Sequence, residues 1–198
     1  MDTIDMDEVI AQLTREAKAK ALRIAGIPKR VAKLLGSVEE SKPVLAVREF
    51  MASPRTLLVL AGGTGCGKTV AACVGLDSAV VVESGTLRKV GRFTKAIDLV
   101  RAGTFDGEFW DELTDVSMLV VDDLGTEPLD EKGWALANIA ALIDQRYDAC
   151  RKTILTTNLD AARFRARYCN DGCRLADRIR EAGAFLEFDG GSLRSRPL

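Results

Sequence analysis

Residues 56–69 read TLLVLAGGTGCGKT: an apolar run, a glycine-rich turn, then a lysine and a threonine. The turn, residues 62–69, fits G-x-x-x-x-G-K-[ST], with an apolar strand before it and a helical pattern after it. The chemistry of the motif requires that context. Glycines permit backbone conformations that a Cβ blocks, so successive N–H groups can turn inward around phosphate oxygens. The first turn of the following helix adds unpaired N–H groups and the positive end of its dipole. Gly63, Thr64, Gly65, Cys66, Gly67, Lys68, Thr69 and Val70 are therefore the expected cradle for ATP or ADP. The Lys68 ammonium is expected on the outer phosphates and the Thr69 hydroxyl on Mg²⁺. The plainer alternative is a glycine-rich turn that holds no ligand. Chance gives such a match on the order of once in a hundred chains of this length.

Beyond the turn, apolar runs alternate with helical spacing. Runs at 79–84, 118–123, 153–158 and 184–188 join 56–61 as candidate strands, separated by helices from Lys68, near 92–102, at 131–149 and near 171–181. Short β-branched runs separated by helices indicate a parallel sheet covered on both faces. The expected class is α/β, a P-loop fold with a five-stranded parallel sheet and helices on both faces. A short helical extension precedes it, and the C-terminal lid is minimal or absent. In the extension, Val9, Ile10, Leu13, Ala17, Ala21, Leu22 and Ile24 recur at helical spacing over 6–24, and Gly26-Ile27-Pro28 stops that helix. A second helix is expected over 39–51, before the turn at Ser53-Pro54.

The run 118–121 leads into Asp122-Asp123 at the carboxyl edge of a parallel strand, where the ligands of such sheets gather. With a phosphate loop in the same chain, Asp122 is expected to hold Mg²⁺ through water. Asp123 is expected to orient or deprotonate an attacking water, with Glu127 a weaker candidate for that task. Asp123 is a methylene shorter than glutamate, so slow hydrolysis is expected. Without the phosphate loop, acids capping the next loop would be the simpler account.

Composition bounds the rest. At 198 residues, 47% hydrophobic and 29% charged, the chain has the balance of one ordinary globular domain. No apolar run approaches the ~18 residues of a membrane span, and the acidic start MDTIDMDEVI is unlike a secretory signal, so no membrane partner and a cytoplasmic location are expected. Five cysteines without histidine or a second close pair point to reduced thiols rather than a zinc site at Cys169 and Cys173. Net charge is −1, but residues 106–131 carry acids and no base, whereas arginines crowd the chain after 160. Either these are two solvated faces, or the acidic face of one subunit meets the basic face of the next.

The stretches LVVDDLGTEP (119–128), IDQRYDACRKTILTTNLD (143–160) and CRLADRI (173–179) resemble the DnaC-type helicase loaders and the related IstB transposition ATPases of the AAA+ superfamily. The resemblance runs from residues 26–28 to 193–196. It implies a helical extension and linker over 1–50 and an AAA+ ATPase domain over 51–198. It also implies that Asn158 is the sensor I group near the γ-phosphate. Arg178 is the implied arginine finger reaching a neighbour's ATP, with Arg174 as the alternative, and Arg194 the sensor II arginine of the same subunit. A strand-end amide needs a partner, and a guanidinium suits charge spread over phosphoryl oxygens. Arg174 and Arg178 share one helix face. Surface ion pairs with Asp171, Asp177 or Glu181 are the plain alternative for both arginines. The implied function is an ATP-hydrolysing replicative helicase loader that self-associates into a ring, spiral or filament and binds DNA, single-stranded in the first instance. The alternative is a transposition or partition ATPase polymerising on duplex DNA. Loaders of this kind carry a larger N-terminal module, so helicase binding here falls to the Val9/Leu13/Ala17/Leu22 face, unless that stripe packs on its own domain.

Overall fold

A computed structural model describes residues 6–83, 86–102, 107–128, 133–168 and 174–189; Cys169, Asp171, Cys173 and Arg194 lie outside them. The strands are β1 (Leu57–Gly62), β2 (Val81–Glu83), β3 (Thr86–Lys89), β4 (Arg92–Lys95), β5 (Met118–Leu124), β6 (Lys152–Thr157) and β7 (Gly183–Phe188). Five of them form one parallel sheet in the order β4-β5-β6-β1-β7. The central strands are apolar on both faces because both faces are covered. Leu58, Leu60, Val120 and Ile154 enter one core cluster, while their neighbours Leu57, Val59, Leu119 and Leu155 enter the other.

The helices are α1 (Met6–Ile24), α2 (Lys29–Ala32), α3 (Lys42–Ala52), α4 (Lys68–Ala79), α5 (Ala96–Ala102), α6 (Gly107–Asp115), α7 (Trp134–Asp148), α8 (Ala161–Tyr168) and α9 (Arg174–Ala182). Val31 of α2, Val44, Val47 and Phe50 of α3 and Ala72 and Leu76 of α4 cover the first face. Leu99 of α5, Leu113 of α6, Ile139 and Leu142 of α7, Phe164 of α8 and Leu175 of α9 cover the second. Arg146 of α7, fully buried, ties this second layer to the sheet. It donates to the carbonyls of Leu113, Val116 and Lys152 at 2.7–2.8 Å and to the Thr153 hydroxyl at 2.8 Å. Burial pulls its pKa down to about 9, so at neutral pH all its N–H donors remain. The carbonyls it meets at the end of α6 carry the negative end of that helix dipole.

One strand differs from expectation. The run at 79–84 does not enter the main sheet. Its segment β2 pairs antiparallel with β3 in a separate two-stranded sheet beside α1. The fifth place is taken by β4, within a segment expected to be helical from residue 92. A β-branched run signals a strand without saying which sheet it joins. The expected α1 stripe is divided: Ala21 is buried and Leu22 packs on the first core, whereas Met6, Val9, Ile10 and Leu13 are exposed.

Candidate functional site

The phosphate loop leaves β1 at Gly62 and enters α4 at Lys68. Gly65 and Gly67 both have φ of 91°, a left-handed conformation that L side chains rarely adopt. Gly67 is the N-cap of α4 and supplies no side-chain cap, so the first N–H groups of that helix are free for a ligand. The Lys68 ammonium donates to the carbonyls of Gly62 at 2.7 Å and Gly63 at 2.8 Å and to Asn158 Oδ1 at 3.0 Å, with Cys66 Sγ at 3.6 Å. A buried cation held by neutral oxygens, beside an open helix N-terminus, fits a phosphate chain. A cavity of about 390 Å³ lined by Gly62, Gly63, Asn158, Asp160, Glu187, Phe188 and Asp189 opens beside the loop.

The second half of the site is a β-bulge. Val121 stands opposite Leu155 and Leu124 opposite Thr157, so Asp122 and Asp123 share the place of one residue, Thr156. Asp123 takes φ of 58° to accommodate this. The Thr156 hydroxyl fills the gap, accepting the Asp123 N–H at 3.0 Å and donating to Asp122 Oδ1 at 2.7 Å. The Thr69 hydroxyl donates to the same Asp122 oxygen at 2.8 Å. Burial holds the Asp122 carboxyl above its ordinary range, against the pull of the two hydroxyls. A threonine hydroxyl and a carboxylate in contact are the hard oxygen donors that Mg²⁺ takes alongside water and phosphate.

The sequence pattern TTN at 156–158 thus uses every residue. Thr156 closes the bulge, Thr157 donates to the Leu124 carbonyl, and Asn158 receives Lys68. Of the three, the sequence singles out only Asn158, as a strand-end amide in need of a partner. The residue is exposed, since β6 ends at Thr157 and Asn158 stands at the open carboxyl edge of the sheet. Glu127, offered as a substitute water-holding acid, is taken up elsewhere. It is 2% exposed and accepts from the Gly125 N–H, from Arg167 and from the Tyr168 hydroxyl.

Among the described residues Arg178 makes no hydrogen bond to the phosphate loop. Its Nε donates to Asp144 of α7 at 2.8 Å, its Nη1 to Glu181 at 3.0 Å, and its guanidinium stacks 4.1 Å from the Tyr147 ring centroid. Arg174 donates to the other Asp144 oxygen at 2.8 Å. The Glu181 pair was anticipated; Asp144, distant in sequence, was not, although its place on the helical face of α7 toward α9 was the available signal. Arg194 is outside the described residues.

No curated protein matches the chain. Among solved structures it is similar to the DnaC helicase loader, with TM-score 0.62 and 24% identity over 81% of this chain and 99% of that one. It is also similar to a putative primosome component from Streptococcus pyogenes serotype M3, with TM-score 0.60 and 20% identity over 90% and 98% of the two chains. AMPPCP-bound DnaA from Aquifex aeolicus matches with TM-score 0.57 and 17% identity, over 77% of this chain and 49% of that one. At these identities the likeness carries the fold alone, an α/β domain with a five-stranded parallel sheet and a phosphate loop after β1. The sequence model of the family described as IstB-like ATP binding protein matches residues 40–197, and the chain belongs to that family.

Proposed function

We propose that the chain is a Mg²⁺-dependent ATPase that loads a replicative helicase during DNA replication, assembling head to tail with ATP between subunits. The observation that carries this is a division within the fold. Lys68, Thr69, Asp122 and Asn158 meet at one sheet edge, while every described polar partner of Arg178 lies on α7 or α9. Among the described residues Arg178 has no bond to the cradle, so a second copy is the proposed source of the cation that would complete it.

The N–H groups of 63–70 and Lys68 would grip the β- and γ-phosphates, with Lys68 exchanging its loop carbonyls for phosphate oxygens. The Thr69 hydroxyl and Asp122 would hold Mg²⁺, which when bound would supply neutralising charge for the transferred phosphoryl group. Asp123, partly exposed at the bulge, would take the proton of the attacking water at a carboxylate oxygen, and Asn158 would orient that water. Arg178 of a neighbour, and Arg194 of the same subunit, would stabilise the spreading phosphoryl charge. Residues 1–50 would serve as the extension that meets the helicase, through the exposed Met6, Val9, Ile10 and Leu13 face, and 51–198 as the ATPase domain.

Among the described residues no helix is long and apolar enough to cross a membrane, and the cytoplasm is the proposed location. DNA, single-stranded in the first instance, is a proposed partner. The family match favours a second function, a transposition or partition ATPase that polymerises on duplex DNA.

Steady-state hydrolysis against protein concentration tests the proposal. The rate should rise more steeply than first order, with single-stranded DNA and a helicase stimulating it more than duplex DNA; stimulation by duplex alone selects the second function. Lys68→Ala should abolish nucleotide binding by calorimetry. Arg178→Ala should bind ATP normally and lose turnover by on the order of 10³-fold or more. Wild-type turnover in the Arg178 variant, at a rate first order in protein, would overturn head-to-tail catalysis.

A further inference from the structure

Asp144 sits in the last turns of α7 with 15% of its side chain exposed and divides its two oxygens between two cations. Oδ1 accepts from Arg178 Nε and Oδ2 from Arg174 Nη1, each at 2.8 Å. Three residues on, Tyr147 lies under the Arg178 guanidinium, and its hydroxyl donates to the Glu181 oxygen that also receives Arg178 Nη1, both at 3.0 Å. The planar guanidinium is therefore fixed on two edges and one face. Its Nη2 edge has no partner among the described residues, and 23% of the side chain is exposed. Arg174, by contrast, is 74% exposed and held by one bond among the described residues.

A free arginine has several rotatable bonds to order before it can meet a phosphoryl group, and that ordering subtracts from its stabilisation of the transition state. An arginine already locked with one nitrogen edge outward loses little. We propose that Asp144 is a positioning residue for trans catalysis: it holds the Arg178 guanidinium, against Tyr147, with the Nη2 edge directed at a neighbouring subunit's triphosphate. This rests on the assignment of Arg178 as the finger and deepens it, because it selects Arg178 over Arg174 and names the residue that presents it. The Asp144 carboxyl is held below its usual range chiefly by the Arg178 bond, which favours the charged form that the clasp uses.

Mixing variants separates this role from a structural staple between α7 and α9. Lys68→Ala lacks a working cradle but retains a finger, and Arg178→Ala the reverse, so their mixture should recover turnover that neither has alone. Asp144→Ala should lose at least tenfold in kcat with KM for ATP unchanged, and Lys68→Ala should restore it, since its own cradle is sound. The double variant Lys68→Ala/Asp144→Ala should fail to rescue Arg178→Ala. Wild-type turnover by Asp144→Ala, or full rescue by the double variant, overturns the positioning role while leaving the finger intact. Failure of Lys68→Ala to rescue Arg178→Ala overturns the finger itself, and the positioning role with it. If Asp144→Ala does not fold, Asp144→Leu replaces it in every mixture with the same outcomes, since it keeps the branched shape of the side chain and removes both acceptor oxygens.

Discussion

The Asp122 carboxylate, 3% exposed, accepts two threonine hydroxyls at one oxygen, and burial still keeps its pKa above the ordinary 3.8. A raised carboxyl binds more protons in the folded than in the unfolded chain. In the metal-free protein, stability therefore falls as pH climbs from the ordinary value through the raised one, and the loss persists at neutral pH. Asp122→Asn keeps an acceptor for both hydroxyls and removes the buried charge, so the nucleotide-free variant should melt higher than wild type at pH 7. Each ~1 kcal/mol recovered corresponds to roughly 2–4 °C at this chain length. The same substitution should erase the further rise that Mg²⁺ with ATP gives the wild type. Scanning calorimetry with and without Mg²⁺ checks both halves, and a variant that melts lower in both conditions would contradict the account. At this scale the motif made Lys68, Thr69 and Asp122 legible, since each role follows from adjacent residues. Arg146, Thr156 and Asp144 stayed hidden because each meets a partner from a segment about thirty residues away, and spacing along the chain says nothing about such meetings.

Helical spacing located α1, α3 and α7 closely, because an amphipathic stripe is a property of the segment itself. The edge strand was another matter. Val81 and its neighbours carry the stronger strand signal, yet RFTK at 92–95 holds the sheet edge, with Phe93 and Thr94 buried. Gly91 explains the docking. A Cβ there would stand 2.2 Å from Leu76 Cδ2 of α4 and 2.7 Å from the Met118 carbonyl of β5. The chain can press between helix and strand only where a side chain is missing, and the backbone carbonyl cannot step aside. Gly91→Ala should cost about 1–3 kcal/mol or more, as overpacking in a close-packed core does. Gly36→Ala, which would meet nothing within 4 Å, should stay within about 0.5 kcal/mol of wild type. Urea unfolding of the two variants checks the contrast; equal stability would mean that β4 does not depend on that approach.

A net charge of −1 conceals how the charges are distributed over the whole molecule. The arginines after 160 read as a basic face, but Arg163, Arg167, Arg174 and Arg180 each pair with an acid of the same chain. Their charge is largely balanced within the subunit, which weakens the picture of a basic face meeting a neighbour's acidic one and leaves the outward edge of Arg178 as a local exception. Lys20, Arg23, Lys29, Arg30 and Lys33 are different: all are exposed, none makes an ion pair with another described residue, and no acid occurs between 17 and 38. If the chain holds DNA as proposed, phosphates should find their counter-charges on α1 and α2, where no carboxylate competes. Each phosphate neutralised contributes about 0.7 to the slope of log K against log salt on single strands and about 0.9 on duplex. Changing these five residues to Gln should weaken DNA binding and flatten that slope by several such increments in a fluorescence anisotropy titration. Changing the paired Arg48, Arg101 and Arg163 to Gln should alter it far less, because those guanidinium groups already have carboxylate partners. An unchanged slope in the first variant, with binding intact, would move the nucleic-acid contact away from the N-terminal helices and leave the exposed face of α1 to a protein partner alone.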